Sequence, residues 1–134
     1  MKIKPSAFTV DTLDQAENVI IENRNYNIKP ILHFKSYLIE GFGSDFVLTF
    51  KNMLVSKFGK SSFKLYVDCG FNNGLGINII SKKIEYIKLR GGSIILSKIK
   101  NIAYKNRVLL NPSFNIVDCR NRKNIHLKLK NLYS

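Results

Sequence analysis

The sequence lacks the features of several protein classes. Its 134 residues contain no stretch near the roughly 20 apolar residues that a membrane-spanning helix needs, and the opening residues MKIKP lead into no apolar signal core. Only two cysteines are present, Cys69 and Cys119, and neither has the CxxC or Cys/His spacing of zinc and redox centres. These absences predict a cytoplasmic protein with two reduced thiols, no metal and no other cofactor.

Motifs of the common enzyme classes are also missing. No Ser/His/Asp arrangement, Walker loop, dinucleotide fingerprint or interleaved aromatic RNA motif is present. The length is typical of one domain that can bury a core without disulfide or metal staples, and no linker or low-complexity block divides it. We therefore expect a single α/β domain over residues 1–119, followed at 120–134 by a basic tail or an edge strand.

Acidic residues are scarce in the second part of the chain. The formal net charge is +13: residues 1–81 hold 9 basic and 7 acidic side chains, whereas residues 82–134 hold 13 basic ones and only Glu85 and Asp118. Clustered Lys and Arg can neutralise phosphates of nucleic acid and release counterions. A solvated surface, with lysines reflecting an AT-rich genome, is the alternative. The candidate polyanion-binding residues are Lys98, Lys105, Arg107, Arg120, Arg122, Lys123, Lys128 and Lys130.

Strand and helix signals alternate along the chain. Apolar runs predict strands at 7–10, 30–34, 63–67, 84–89, 108–110 and 114–117, with helical spacing between most of them. The sequence TLDQ at 12–15 has the form of a capping box, whereas 35–44 is predicted as a loop with two glycines. This order predicts an α/β fold of four or five βα units with a mainly parallel sheet, either half-TIM-barrel-like or flattened into a three-layer sandwich. The predicted inward face of the last of these helices is Ile95, Ile99, Ile102 and Ala103.

The order of these segments resembles the amino-terminal half of class II, metal-dependent fructose-bisphosphate aldolases. AFTVDTLDQ at 7–15 is similar to that family's opening strand and helix, and Pro30-Ile31-Leu32 followed by Ser36 is similar to its second strand. LYVDCG at 65–70 resembles the third strand with its Leu-Asp-His-Gly type motif, and 84–93 resembles the fourth strand with its Asp-Gly-Ser turn. A closed barrel takes about 250 residues. The resemblance therefore implies half a barrel, which must pair with a second copy, be covered by the C-terminal segment, or flatten.

The resemblance also implies roles for individual residues. Asp68 stands where the family places a proton-transferring aspartate, and Cys69 replaces the histidine that binds the catalytic metal. Ile94 and Ile95 stand where a further acidic ligand would be sought, and Arg90 replaces the aspartate of the turn. Because the aldolase chemistry needs its metal, we expect a noncatalytic aldolase-like module that acts in ligand binding or protein interaction. A remnant sugar-phosphate lyase completed by dimerisation, with Asp68 as acid/base group and Cys69 near the substrate, is the alternative.

The candidate ligand site follows from the parallel sheet, because ligands of such folds gather at the carboxyl ends of strands. The turn at 90–93 gives the strongest anion-binding signal, since its glycines permit close backbone approach and a cation precedes a helix amino terminus. A plain turn with an N-cap serine is its alternative, and a turn carboxylate is the alternative for Asp68. The full set is Lys35, Ser36, Asp68, Cys69, Arg90, Gly91, Gly92 and Ser93.

Further predictions concern three strand residues, the ligand and the partners. His33, Tyr66 and Tyr86 lie in predicted strands and are expected to be packing residues rather than catalytic ones. The strand-end set predicts a small phosphorylated ligand, and the exposed faces of half a barrel predict a protein partner or a homodimer. Nucleic acid is the partner that the basic C-terminal part would bind.

Overall fold

The computed structural model describes residues 5–120 and 124–134, which form one parallel sheet of six strands with six helices. The strands are β1 (Ser6–Thr9), β2 (Ile31–Phe34), β3 (Lys64–Asp68), β4 (Tyr86–Lys88), β5 (Leu109–Leu110) and β6 (Asn115–Asp118). The helices are α1 (Leu13–Arg24), α2 (Ser36–Phe42), α3 (Ser44–Phe58), α4 (Asn73–Ser81), α5 (Ser93–Lys105) and α6 (Ile125–Tyr133). The predicted α/β class with a mainly parallel sheet is confirmed.

The strand order is β5-β4-β3-β2-β1-β6, and every neighbouring pair is parallel. The first strand therefore lies inside the sheet, between β2 and the last strand. Within the described residues the sheet stays open, with β5 at one edge and β6 at the other. Register aligns Thr9 with His33, His33 with Tyr66, and Tyr66 with Tyr86, so these four side chains form one row on the same face of the sheet.

The two faces of the sheet differ in what covers them. Alternate residues such as Phe8, Leu32 and Leu65 join buried side chains from all six helices in the main core. The opposite face carries a small cluster of Ala7, Ile31 and Tyr66, against which Tyr86 and Phe114 pack. No helical residue of the described chain belongs to this second cluster. We call this side the helix-free face.

The segment 111–114, which we call the connector, joins the two edge strands across the helix-free face. From Leu110 to Asn115 the chain can span at most about 18 Å, whereas the edge strands of a flat six-stranded sheet are about 24 Å apart. The sheet must therefore curl so that its edges approach each other over this face. The ring of Phe114 confirms the path, because its centroid lies 5.5 Å from that of Tyr66 and 4.8 Å from that of Tyr86.

Local signals explain where the first helix begins and why one predicted loop is wrong. The Thr12 side chain accepts the Gln15 N–H and the Gln15 side chain accepts the Thr12 N–H, so the capping box is confirmed. Residues 35–44, expected as a loop, instead contain α2. Burial of Leu38 and Ile39 outweighs the helix-weakening glycine within it, and Gly43 at φ +81° separates α2 from α3.

The predicted inward face of α5 is wrong at two of its four positions. Ile99 and Ala103 are buried, but Ile95 and Ile102 are 41% and 37% exposed. The reason is the position of α5 beside the two-residue edge strand β5, which offers a narrow surface to cover. Ser93 is the first residue of the helix rather than its cap, because Gly92 occupies the capping position without a side-chain hydrogen bond.

The C-terminal segment is a helix rather than an edge strand where the structure describes it. Residues 125–133 form α6, which packs against α1. Ile125 and Leu129, four residues apart, are buried on one face of this helix, while Leu127 between them is 49% exposed. The apolar residues at 125 and 129 therefore have helical spacing. Asn124 caps the helix, because its side chain accepts the Leu127 N–H. No helix in the described ranges is both long and apolar enough to cross a membrane.

Candidate functional site

A cavity of about 510 Å³ lies on the helix-free face, where β2, β3 and β4 end. His33 and Lys35 come from the end of β2, Tyr66 and Asp68 from β3, and residues 88–90 from the end of β4. The connector and Ile116 of β6 form the facing wall. The cavity thus occupies the position that parallel α/β sheets use for ligands.

The charged groups around this cavity are mostly cationic. Lys35, Lys88 and Arg90 line it together with one carboxylate, Asp68. None of these three cations forms an ion pair with another described residue within 4 Å. One oxygen of Asp68 accepts the Gly70 N–H at 2.8 Å, which matches the turn-carboxylate alternative. Three cations against one carboxylate leave the cavity with a net positive charge.

A neutral histidine lies among these charges. Nδ1 of His33 is 2.8 Å from Oγ1 of Thr9, and its ring packs on Tyr66 with the centroids 4.8 Å apart. Burial lowers the pKa of His33 to about 4, against the opposing attraction of Asp68. Burial also raises the pKa of Tyr66 to about 12. At neutral pH the imidazole is therefore uncharged, and the phenol keeps its proton.

The connector is fixed to β4 by backbone and side-chain hydrogen bonds of Asn111. Its N–H donates to the Ile87 carbonyl at 2.7 Å, and its Oδ1 accepts the Leu89 N–H at 2.8 Å. Asn111 has φ +52°, a left-handed conformation that asparagine tolerates better than most residues. With Phe114 packed on two tyrosines, the facing wall of the cavity is held at both ends of the connector.

Three of the candidate ligand-binding residues line this cavity: Lys35, Asp68 and Arg90. Cys69 does not, because it lies on the other face of the sheet in the main core, fully buried, and burial raises the pKa of its thiol to about 12. Ser36 lies beside Gly70, where an added Cβ would be 3.6 Å from the Ser36 Cβ, but it is not part of the cavity wall.

Of the turn at 90–93, only Arg90 lines the cavity. Gly92 and Ser93 line a separate shallow depression with Lys98. Beside Gly91 lies Oδ1 of Asn73, the single buried side-chain oxygen without a hydrogen-bond partner in the ranges that the structure covers. An acceptor without a partner does not favour an anion at this turn, so the anion-binding arrangement is better developed in the cavity.

The candidate polyanion-binding residues are divided between the two edges of the sheet. Lys98, Lys105 and Arg107 belong to α5 and the turn after it, beside β5. Arg120 lies after β6 at the opposite edge and is paired with Asp118 through Nε at 2.9 Å and an Nη at 2.7 Å. Lys128 and Lys130 lie on α6 near that edge, and Arg122 and Lys123 fall outside the described residues. The set does not form one continuous surface in the described chain.

Several residues of the cavity wall lie outside the predicted ligand-binding set. His33 and Tyr66 are packing residues as predicted, and they also face the cavity. Lys88 is not among the predicted ligand-binding residues, although it alternates with Ile87 and so lies on the same face as Tyr86. That alternation was the available signal. The connector gave no such signal, because its position depends on the pairing of β6 with β1.

The described side chains include no group of three or more His, Cys, Asp and Glu residues that could hold a metal ion. His33 and Cys69 lie on opposite faces of the sheet. The expectation that the protein works without a metal or other cofactor stays a prediction.

Comparison with known proteins gives no information on the function of this site. No protein-family model matches the chain, and the search of curated proteins found no match to its sequence. The resemblance to class II aldolases therefore stays a hypothesis. The candidate site is defined by the arrangement of side chains at the ends of β2, β3 and β4.

Proposed function

We propose that this protein is a noncatalytic α/β module that binds a small phosphorylated ligand in the cavity on its helix-free face. The observation that carries this proposal is the convergence of Lys35 at the end of β2 with Lys88 and Arg90 at the end of β4, on either side of β3, without ion-pair partners among the described residues. Phosphate oxygens form charge-assisted hydrogen bonds with Lys and Arg, and these are roughly twice as strong as bonds between neutral groups.

The other polar groups of the cavity fit the remainder of such a ligand. The protonated phenol of Tyr66 can donate to an acceptor. Asp68 uses one oxygen for the Gly70 amide, and its second oxygen can accept a ligand hydroxyl. Phe114 and Ile116 add apolar surface. A phosphate ester with a hydroxyl-bearing body matches this combination of cations, one acceptor and one apolar wall.

The position of Cys69 weighs against the lyase alternative. That alternative needs Cys69 near the substrate, but the thiol is buried among the helices on the other side of the sheet. Asp68 is held by the turn at Gly70 rather than by a neighbouring acid or base that would share a proton. These features support ligand binding without turnover, and the aldolase-like origin of the module remains part of this proposal.

Calorimetric titration with inorganic phosphate and with pyrophosphate tests the proposal. We expect Lys88→Gln and Arg90→Gln each to weaken binding about tenfold or more, because a hydrogen bond to a charged group contributes about 1.5–3 kcal/mol. Lys100→Gln is the matched control, since it removes the same charge from an exposed position on α5. Equal losses in all three variants would show a general charge effect and would contradict a defined site.

Nucleic-acid binding through the basic C-terminal part remains a separate hypothesis, because the net charge of +11 over residues 82–134 still requires an explanation. It predicts RNA or heparin binding that weakens steeply as salt rises. Because Lys98 and Lys105 lie on α5 and are not part of the cavity wall, Lys98→Gln with Lys105→Gln should reduce this binding without changing the affinity for phosphate. Absence of retention on heparin at moderate salt would remove the hypothesis. A homodimer or other protein partner stays a prediction, which the solution mass tests.

A further inference from the structure

Thr9 and His33 form a buried polar pair behind the cavity. They are direct neighbours on β1 and β2, they are 1% and 5% exposed, and Oγ1 of Thr9 lies 2.8 Å from Nδ1 of His33. Neither side chain makes another hydrogen bond with the described residues, and Nε2 of His33 is not among the buried atoms that lack a partner. Nε2 therefore reaches the cavity.

The hydroxyl of Thr9 determines which nitrogen of His33 carries the proton. A threonine hydroxyl has one proton to donate, and a buried donor is seldom left without an acceptor. In the described part of the chain Nδ1 of His33 is the acceptor within reach. If Nδ1 accepts this proton, the single proton of the neutral imidazole must be on Nε2. The other tautomer would leave the Thr9 proton buried without a partner.

We propose that Thr9 is a positioning residue that holds the proton of His33 on Nε2, so that a neutral imidazole presents an N–H donor to the ligand. This inference rests on the proposed phosphate-binding function and adds a specificity-determining pair to the site. An imidazole in this form donates at Nε2 and cannot accept there. The wall formed by His33 therefore selects an acceptor oxygen, in keeping with the neighbouring Lys35 and Lys88.

The tautomer can be measured without any ligand. Long-range ¹H–¹⁵N spectra of the histidine rings at pH 7 should show His33 with Nε2 protonated and Nδ1 unprotonated. Thr9→Val removes the hydroxyl at constant shape, and we expect the ring to populate both tautomers. Thr9→Ser keeps the hydroxyl and should keep the wild-type pattern. A proton on Nδ1 in the wild-type protein overturns the inference whether or not the variants fold.

Titration with inorganic phosphate separates this inference from the proposed function. We expect Thr9→Val to weaken binding about twofold, because only about half of the rings then carry the proton on Nε2, and Thr9→Ser to leave it unchanged. If Lys88→Gln weakens binding but Thr9→Val does not, the donor role of His33 is wrong while the proposed function stands. If the wild-type protein binds neither phosphate nor pyrophosphate, the proposed function fails, and with it the ligand-directed role of His33.

Discussion

Gly76 on α4 lies directly against the side chain of Leu89, which follows β4. A Cβ added to Gly76 would stand 2.5 Å from Cδ1 of Leu89, closer than van der Waals contact allows. Leu89 is buried in the main core and also forms part of the cavity wall. The approach of α4 to the sheet therefore sets the position of one wall of the candidate site.

Replacing Gly76 by alanine should destabilise the protein. The added methyl group overpacks a filled core, which typically costs about 1–3 kcal/mol. Gly74→Ala in the same helix is the control, because its Cβ would meet only Oδ1 of Asn72 at 3.7 Å. That variant should be neutral or gain up to about 1 kcal/mol from helix propensity. Urea unfolding measures both, and equal stability of the two variants would contradict the close contact.

Stability should fall on mild acidification because of His33. Its pKa is about 4 in the folded protein and 6.5 ordinarily, so between these values the unfolded chain binds the proton that the folded chain excludes. This group does not change the free energy of unfolding above about pH 6.5. As pH falls towards 4, the proton bound by the unfolded chain lowers the free energy of unfolding by up to about 3 kcal/mol.

Urea unfolding at several pH values, compared between the wild-type protein and His33→Gln, isolates this contribution. In His33→Gln, the free energy of unfolding should lose the part of its pH dependence between pH 6.5 and 4 that His33 causes. His126→Gln, at an exposed position on α6, is the control that should retain it. Parallel curves for the wild type and His33→Gln would show that His33 titrates normally in the folded state.

The thiol of Cys69 should be unreactive in the native protein. It is fully buried, and its pKa of about 12 leaves almost no thiolate at pH 8. We expect iodoacetamide to label Cys69 only after denaturation, as read by peptide mass spectrometry. Rapid labelling of the native protein would place this thiol at an open surface, as the lyase alternative requires.

Truncation of Phe114 should loosen the connector. Its ring packs edge-on against Tyr66 and Tyr86, with interplanar angles of 79° and 84°. We expect Phe114→Ala to cost about 2 kcal/mol, less than a fully buried phenylalanine, because the side chain is only half-buried. Phe71→Ala, at a position 72% exposed, should cost far less. A similar loss in both variants would show that the connector is not held by its aromatic contacts.

Much of the fold could be predicted from the sequence because its signals are local. The capping box at 12–15, the apolar run of β2 and the stop at Gly59 each depend on neighbouring residues alone. The helix α2 is not predicted because Gly41 within it and Gly43 after it suggest a loop, while the burial of Leu38 depends on tertiary packing. The short apolar alternation at 125–129 fits a strand or a helix, and contact with α1 decides for the helix.

The candidate site was predictable to the extent that it follows from strand ends. Lys35, Asp68 and Arg90 are predictable because each lies at the end of a strand or within two residues of it. The facing wall could not be found in this way. It depends on where the connector crosses the sheet, and hence on a pairing between β1 and β6, which are about a hundred residues apart in the chain.

The pairing of β1 with β6 also determines when β1 can gain its second neighbouring strand during synthesis. Residues 6–9 emerge from the ribosome before residues 115–118, so one side of β1 remains without its partner strand until β6 has been translated. Contacts so far apart in the chain close slowly. The nascent protein therefore carries an unpaired strand edge until β6 is made, and that edge is where chaperones, or aggregation with neighbouring chains, would act.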